Sequence, residues 1–467
     1  MKNLFILILL LSPFLATAQP QEGVLLGTWS NPDLVGSSAY DNTYNEIWGH
    51  AANDREYAII GSTAGTHFID VTDPVNPSEV AFVEGGQMGP VVIHRDYHNY
   101  GEYLYAVCDE GGASTLQIID LSDLPNSVEV VYDDNELITR AHNIFIDEAT
   151  ARLYALATAN SNGFRAMSIF DISNPTAPTL LASHNTFGGN TVGHVHDAYV
   201  KNNLAYLNCG NDGLYVVDFS DVNNPTTLGS MTDYLQSGYN HSGWASEDGN
   251  YYYFADETHG MDVKAVDVSD FSDMTITSFF DAGPQAASTS IPHNQIVAGN
   301  FLYLSYYYDG VQVYDLTDPA NPERVLFYNT SSEADGDNYK GAWGIYPFLP
   351  SGNILISDMQ TGFTVIEGPT PIPSGLTTEN GNILLEVFPQ PAKEQLNLRI
   401  NLVNNGQDSQ LQMIDLMGRT LFTKNLNLNA GQNDFSIDEI NSLPNGYYIL
   451  KLQGTDWELT ERVIVGR

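Results

Sequence analysis

Eleven histidines are spread along this 467-residue chain, and most fall into arrangements with chemical meaning. In Gly193-His194-Val195-His196-Asp197 two imidazoles stand at i and i+2. On a strand those positions share a face, so the pair could chelate one ion. A second arrangement is long-range. His94, His142, His196, His241 and His293 each stand 10 to 12 residues before a tyrosine in a strand-like run, once in each of five successive segments. An aspartate follows four of them after 15 or 16 residues: Asp109 after His94, Asp212 after His196, Asp256 after His241 and Asp309 after His293.

Two chemistries fit this pattern. A buried imidazole needs a hydrogen-bond partner, so each His–Asp pair can be a brace inside one structural unit, copied because the unit is copied. WD-repeat propellers use a similar His and Asp in this way. Alternatively, part of the set surrounds one opening and holds a cation, since neutral imidazoles with carboxylates suit zinc or a similar transition metal. The ligand candidates on that reading are His194, His196, His241, His259 and His293 with Asp212 and Asp256. Of these, His194 and His259 stand outside the repeat, as does His98. Carboxylates alone, such as Glu333, Asp335 and Asp337, would suit calcium, though their loop lacks the glycine offset of an EF-hand. The chain has no Gly-x-Ser-x-Gly, no His-Glu-x-x-His and no phosphate-cradling glycine loop, so nucleophilic catalysis has little support.

The elements that must position these residues repeat about every fifty residues. "THFIDVTDPVNPSEVAFV", "LQIIDLSDLPNSVEVVY", "MSIFDISNPTAPTLLAS", "LYVVDFSDVNNPTTLGS", "VKAVDVSDFSDMTITSF" and "VQVYDLTDPANPERVLFY" are one pattern written six times, and "FTVIEGP" is a shortened seventh. Their anchoring acids, Asp70, Asp120, Asp171, Asp218, Asp267, Asp315 and Glu367, are spaced by 50, 51, 47, 49, 48 and 52 residues. Each unit holds four short β-branched or aromatic runs, and Asp-x-Ser/Thr followed by Asn-Pro signals an Asx turn closing a hairpin. Four strands per unit, seven times, predict a seven-bladed β-propeller. The seventh unit lacks a fourth strand, and residues 24–29 resemble one, so the N-terminal segment is expected to close the ring and remove its sheet edges.

The repeat phrase resembles the LVIVD repeat of bacterial surface proteins of the "choice-of-anchor B" type. The resemblance covers residues 22 to about 369 and implies an exported propeller, without an activity. A linker is expected at 370–382, leaving the propeller at 19–369 and a second domain at 383–467. There, Val387-Phe388-Pro389-Gln390-Pro391, the turn from Asp415 to Gly418-Arg419, Leu443-Pro444-Asn445-Gly446-Tyr447 and Arg462 to Val465 resemble the markers of the type A sorting domain of type IX secretion. The alternation in "LNLRINL" and "YYILKL" independently reads as a small immunoglobulin-like antiparallel β-sandwich. The resemblance implies contact with the type IX machinery, passage across an outer membrane, and release or attachment to surface polysaccharide.

The N-terminus agrees with export. Lys2, an apolar run over residues 4–15 and Ala16-Thr17-Ala18 form a secretory signal peptide, residues 1–18, with cleavage expected between Ala18 and Gln19. No other segment approaches a membrane span. The formal charge of −40 sits mainly on residues 22–369, with 46 acidic and 9 basic side chains, against 10 and 7 over residues 383–467. Such a surface repels nucleic acid and favours cations. The expectation is an extracellular or outer-membrane surface protein of a Gram-negative bacterium. It would act as a non-catalytic binding module through a His- and Asp-rich face, with a glycan, surface polysaccharide or protein as ligand. The alternatives are a metal-dependent hydrolase at that face and a purely structural or adhesive protein. The cofactor is unspecified, with calcium or a transition metal the options.

Overall fold

The computed structural model describes residues 20–283, 291–331, 338–369, 383–388, 392, 395–402, 407–415, 419–443, 446–454 and 458–465. The expected signal peptide with Ala18 and Gln19, the linker 370–382, and Glu333, Asp335 and Asp337 lie outside the described residues. So do Pro389, Gln390 and Pro391, the centre of the 415–419 turn, and Pro444 and Asn445.

Between residues 25 and 366 the chain folds into seven sheets of four antiparallel strands. In the first six, strand order follows chain order from the innermost strand outward. The innermost strands are Tyr44–Ala52, Arg95–Tyr100, Asn143–Asp147, Asp197–Lys201, Asn240–Ala245, Gln295–Ala298 and Ala342–Tyr346. Each packs against the next, and the last packs against the first, so the sheets form a closed ring about a central axis. In the seventh sheet the outermost strand is Leu25–Trp29, paired with Gly362–Ile366. A short segment, Gln21–Glu22, adds a parallel fifth strand to the outer edge of the sixth sheet. The fold is a β-propeller.

The repeated acids explain why each sheet turns where it does. The side-chain oxygen of Asp70, Asp120, Asp171, Asp218, Asp267 and Asp315 accepts the backbone N–H two residues on, at 2.6–3.0 Å in all six. This is the Asx turn, and it reverses the chain into the fourth strand. A bulge between third and fourth strands recurs in every sheet and strengthens the local twist that lets neighbouring sheets splay around the axis. Apolar faces then meet between sheets. Tyr206 and Tyr252, from the fourth and fifth sheets, stack at 4.4 Å with 8° between planes. Each such buried side chain contributes roughly 1.5–3 kcal/mol. Cys108 and Cys209 are both buried and unbridged.

Residues 383–465 form a separate antiparallel pair of sheets. One has three strands, Ile383–Phe388, Leu396–Leu402 and Gly431–Ile437, and the other four, Gln407–Asp415, Thr420–Leu428, Gly446–Gln453 and Glu458–Val465. Leu385, Leu398, Ile400, Leu411, Met413, Leu450 and Val463 fill the space between them.

Candidate functional site

Inner-strand side chains alternate in direction, and those facing the axis form three layers. At one end, imidazoles from five successive sheets meet ring to ring. Centroid separations are 4.4 Å for His94–His142, 4.1 Å for His142–His196, 4.1 Å for His196–His241 and 4.5 Å for His241–His293. Trp343 of the seventh sheet closes the circle, 4.5 Å from His293 and 5.5 Å from His94. The first sheet supplies no ring there; Asn45 instead donates to the Ile93 carbonyl. The middle layer is acidic and amide. Glu46 accepts from Asn294 Nδ2 across the axis at 2.8 Å, Asp96 accepts the Ile144 N–H at 2.7 Å, and Asp197 accepts the Ala198 N–H at 2.7 Å. Burial pushes Glu46 up to about 8 and Asp197 up to about 7, and raises Asp96 well above the carboxylate range. At the other end Trp48, His98, Phe145, Tyr199, Trp244 and Tyr346 pack into an aromatic cluster, with centroids 4.4 Å apart for Trp48–His98 and 5.6 Å for Phe145–Trp244.

The expected His–Asp braces within single units are not what holds the histidines: His142, His196 and His293 bond groups of an adjacent sheet, and His241 faces Glu257 of its own sheet rather than Asp256. Asp109 Oδ2 lies 2.8 Å from Nδ1 of His142, not on His94, whose Nδ1 is buried without a hydrogen bond. His196 Nδ1 donates to the His241 carbonyl at 3.2 Å, and His293 Nδ1 to the Trp343 carbonyl at 2.6 Å. Asp212 accepts the Gly193 N–H. Asp256 is fully buried against Lys264 Nζ and the Tyr234 hydroxyl, leaving His241 Nε2 to face Glu257 at 3.7 Å. Asp309 lies in the 306–310 turn, where its N–H bonds Tyr306. The physical reason is the rotation between sheets: the turn after the second strand of one sheet is bridged through its backbone to the inner-strand entry of the next, as in Gly210 with Asn240 and Tyr307 with Ala342. Asp109, in the turn of the second sheet, therefore reaches His142 at the entry to the third.

The metal-ligand candidates separate in the same way. His241 and His293 converge with Glu257, their ligand atoms all within 4.8 Å of one another. His194 bonds the Tyr239 hydroxyl through Nε2 at 2.6 Å and stands outside this group. His196 sits in the ring beside His241, while Asp212 and Asp256 are engaged elsewhere. His259 lies against Tyr339, ring centroids 6.1 Å apart, on the rim. His98 belongs to the aromatic end, where burial pushes it down to about 4. Glu257 is the residue that sequence reasoning missed. Its one signal is its place directly after Asp256, in a chain where acids are everywhere.

Electrostatics divide the imidazoles. Burial, helped by neighbouring imidazoles, holds His94, His196 and His241 well below their usual range, and burial takes His293 to about 3. Burial would lower His142 too, yet the hydrogen bond and charge of Asp109, with Glu110 and Glu257 beyond, carry it above its ordinary value. Asp109 moves the opposite way: burial raises it, but His142 pulls it below the carboxylate range. Burial raises Glu257 to about 7, and the Tyr307 hydroxyl donates to its Oε1 at 2.5 Å. Tyrosine rings continue outward, Tyr307 to Tyr339 at 5.4 Å and Tyr339 to Tyr40 at 5.5 Å. The mouth thus offers neutral nitrogen lone pairs, carboxylates and aromatic faces.

Comparison with known proteins agrees with the two-part reading. Residues 386–466 match the family model of the secretion system C-terminal sorting domain. Residues 161–186, 192–233 and 244–281 match that of the LVIVD repeat. The chain carries LVIVD repeats and a type IX sorting tail, which marks it for export to the cell surface or beyond and for contact with the secretion machinery. No helix among the described residues is long and apolar enough to cross a membrane. No curated protein matches. Solved structures of similar shape include the β-propeller domain of Cps50 (Swd1) from Myceliophteria thermophila, at 10% identity, covering 69% of this chain and 96% of that one, TM-score 0.47. PorZ of Porphyromonas gingivalis, described as an essential bacterial surface component of the type-IX secretion system, shares 10% identity over 94% of this chain and 61% of its own, TM-score 0.46. The C-terminal WD40 domain of Sif2 shares 9% identity over 75% of this chain and all of its own, TM-score 0.48.

Proposed function

We propose that this protein is an exported binding module whose ligand carries positive charge and enters the imidazole-lined mouth of a seven-bladed propeller. The observation that carries the reading is convergence. Five imidazoles and Trp343 meet around one axis, with Asp109, Glu110 and Glu257 beside them. Carboxylates attract a cation in a poorly hydrated site, and Trp and Tyr faces add cation–π attraction. The overall charge of −40 raises the local concentration of cations and speeds their encounter. The aromatic cluster at the opposite end supports a mouth open on one side only.

A thermal-shift panel on the mature protein tests this, using choline, arginine, spermidine, calcium and zinc as probes. At least one probe is expected to raise Tm in a saturable way, and Glu257→Gln is expected to abolish that shift while remaining folded. A panel in which no probe shifts Tm, or in which Glu257→Gln leaves every shift intact, overturns the reading.

A further inference from the structure

We propose that His241, His293 and Glu257 form a three-ligand site for one divalent transition-metal ion of the zinc class, with its remaining coordination position open to the mouth. The proposal rests on the cation-binding reading above and specifies the ion. The three groups come from three elements: His241 from the innermost strand of the fifth sheet, Glu257 from the turn after that sheet's second strand, and His293 from the entry to the sixth sheet. Their ligand atoms lie within 4.8 Å of one another, and His241 Nε2 is 3.7 Å from Glu257 Oε2. Ligands about 2.0–2.1 Å from a tetrahedral ion stand about 3.4 Å apart, so separations that reach 4.8 Å at most must contract by up to about 1.4 Å, which small rotations of the three side chains can share.

His293 and Glu257 each have the supporting partner a metal site needs, while His241 Nδ1 is buried without a hydrogen bond. His293 Nδ1 donates to the Trp343 carbonyl at 2.6 Å, which puts the proton on Nδ1 and leaves the Nε2 lone pair free. The Tyr307 hydroxyl holds Glu257 Oε1 at 2.5 Å and leaves Oε2 toward His241. Both histidines are buried, and Glu257 is only 16% exposed, so the cluster differs from the many solvated acids of this surface. It also differs from the rest of the ring. Asp109 is committed to His142 and Asp212 to Gly193, whereas Glu257 faces two imidazoles at once. Two nitrogens and one carboxylate select zinc-like ions over calcium or magnesium, which take oxygen.

The test uses the mature full chain without a His tag, stripped with a chelator. Zinc binding is followed by calorimetry, and cobalt(II) serves as a spectroscopic probe of low-coordinate nitrogen and oxygen ligation. One equivalent of zinc is expected, with a tetrahedral cobalt spectrum. His241→Ala, His293→Ala and Glu257→Gln are each expected to weaken zinc binding by about 100-fold or more. Glu257→Gln is near-isosteric and on a turn, so it keeps the test decisive if a histidine variant fails to fold. Folded Glu257→Gln that binds zinc like the wild type overturns the site, as does wild type that binds none. If zinc does not bind the wild type, or binds Glu257→Gln equally well, while choline or arginine shifts Tm and loses that shift in Glu257→Gln, the metal assignment fails and the cation-binding reading stands.

Discussion

The two ends of the central axis are built by the same seven strands and have opposite chemistry. Along the second sheet's inner strand and its entry, His94, Asp96 and His98 stand two residues apart and so share a face. The first joins the imidazole ring, the second the acidic layer and the third the aromatic cluster. His94 and His98 are the same residue type in the same strand direction, four residues or about 13 Å apart. Both are buried, but one meets imidazoles and acids, whereas the other is packed between Trp48 and Phe145. The contrast teaches that residue type does not mark the site in this molecule. What marks it is which layer the residue reaches and whether the neighbouring sheet brings a carboxylate.

If the aromatic end is structural and the mouth functional, truncation at the aromatic end separates stability from binding. Phe145→Ala removes a buried ring touching His98, Tyr199 and Trp244. It should cost about 3–5 kcal/mol in chemical denaturation, with cation binding by the folded fraction unchanged. Lost binding at preserved stability would break the comparison.

The layer between the ends gives the next effect. Glu46 has its pKa raised by burial to about 8, so the folded state holds a proton that the unfolded chain gives up near 4.5. Stability from this group is therefore full below that lower value and declines as pH rises toward 8. Glu46→Gln, which keeps an oxygen for the Asn294 bond, should make the protein more stable than wild type at pH 9, by about 1–3 kcal/mol, and change little at pH 4. Equal melting curves at both pH values would show that the layer is solvated.

Smaller effects probe the ring itself. His196→Ala deletes the hydrogen bond to the His241 carbonyl, and leaving that carbonyl unpaired should cost about 1–2 kcal/mol. The His142–Asp109 pair is 21% and 30% exposed, so Asp109→Asn should cost about 1 kcal/mol or less. The pH dependence carries the signature. His142 is raised, so its share of stability is present below the ordinary histidine range and lost as pH climbs through the raised value. Asp109 is lowered, so its share is present above the ordinary aspartate range and lost as pH falls through the lowered value. The stability difference between wild type and Asp109→Asn is thus expected to peak between the two and vanish on either side. Salt and pH titrations of Tm check this, with Glu110, Glu257, His94 and His196 as the other titratable neighbours.

Much of this was legible because it is local. Asp70 and its five counterparts bond the N–H two residues on, so spacing alone announces the turns and through them the sheets. The ring positions of His94, His142, His196, His241 and His293 were likewise legible as a repeated offset. Their partners were not. Asp109 reaches His142 across 33 residues because adjacent sheets are rotated about the axis, and no spacing within one unit encodes that rotation. Asp256 looked like the ligand for His241, yet its carboxylate neutralises a fully buried Lys264, and the adjacent Glu257 takes the place.

The most direct test of the claim that one end binds a cation and the other only packs is a zinc-edge anomalous difference map from crystals of the mature protein loaded with zinc. The account predicts one strong peak in contact with Nε2 of His241, Nε2 of His293 and a carboxylate oxygen of Glu257, and none beside His98. A zinc-loaded crystal whose density lies elsewhere, with that triad bare, would contradict it.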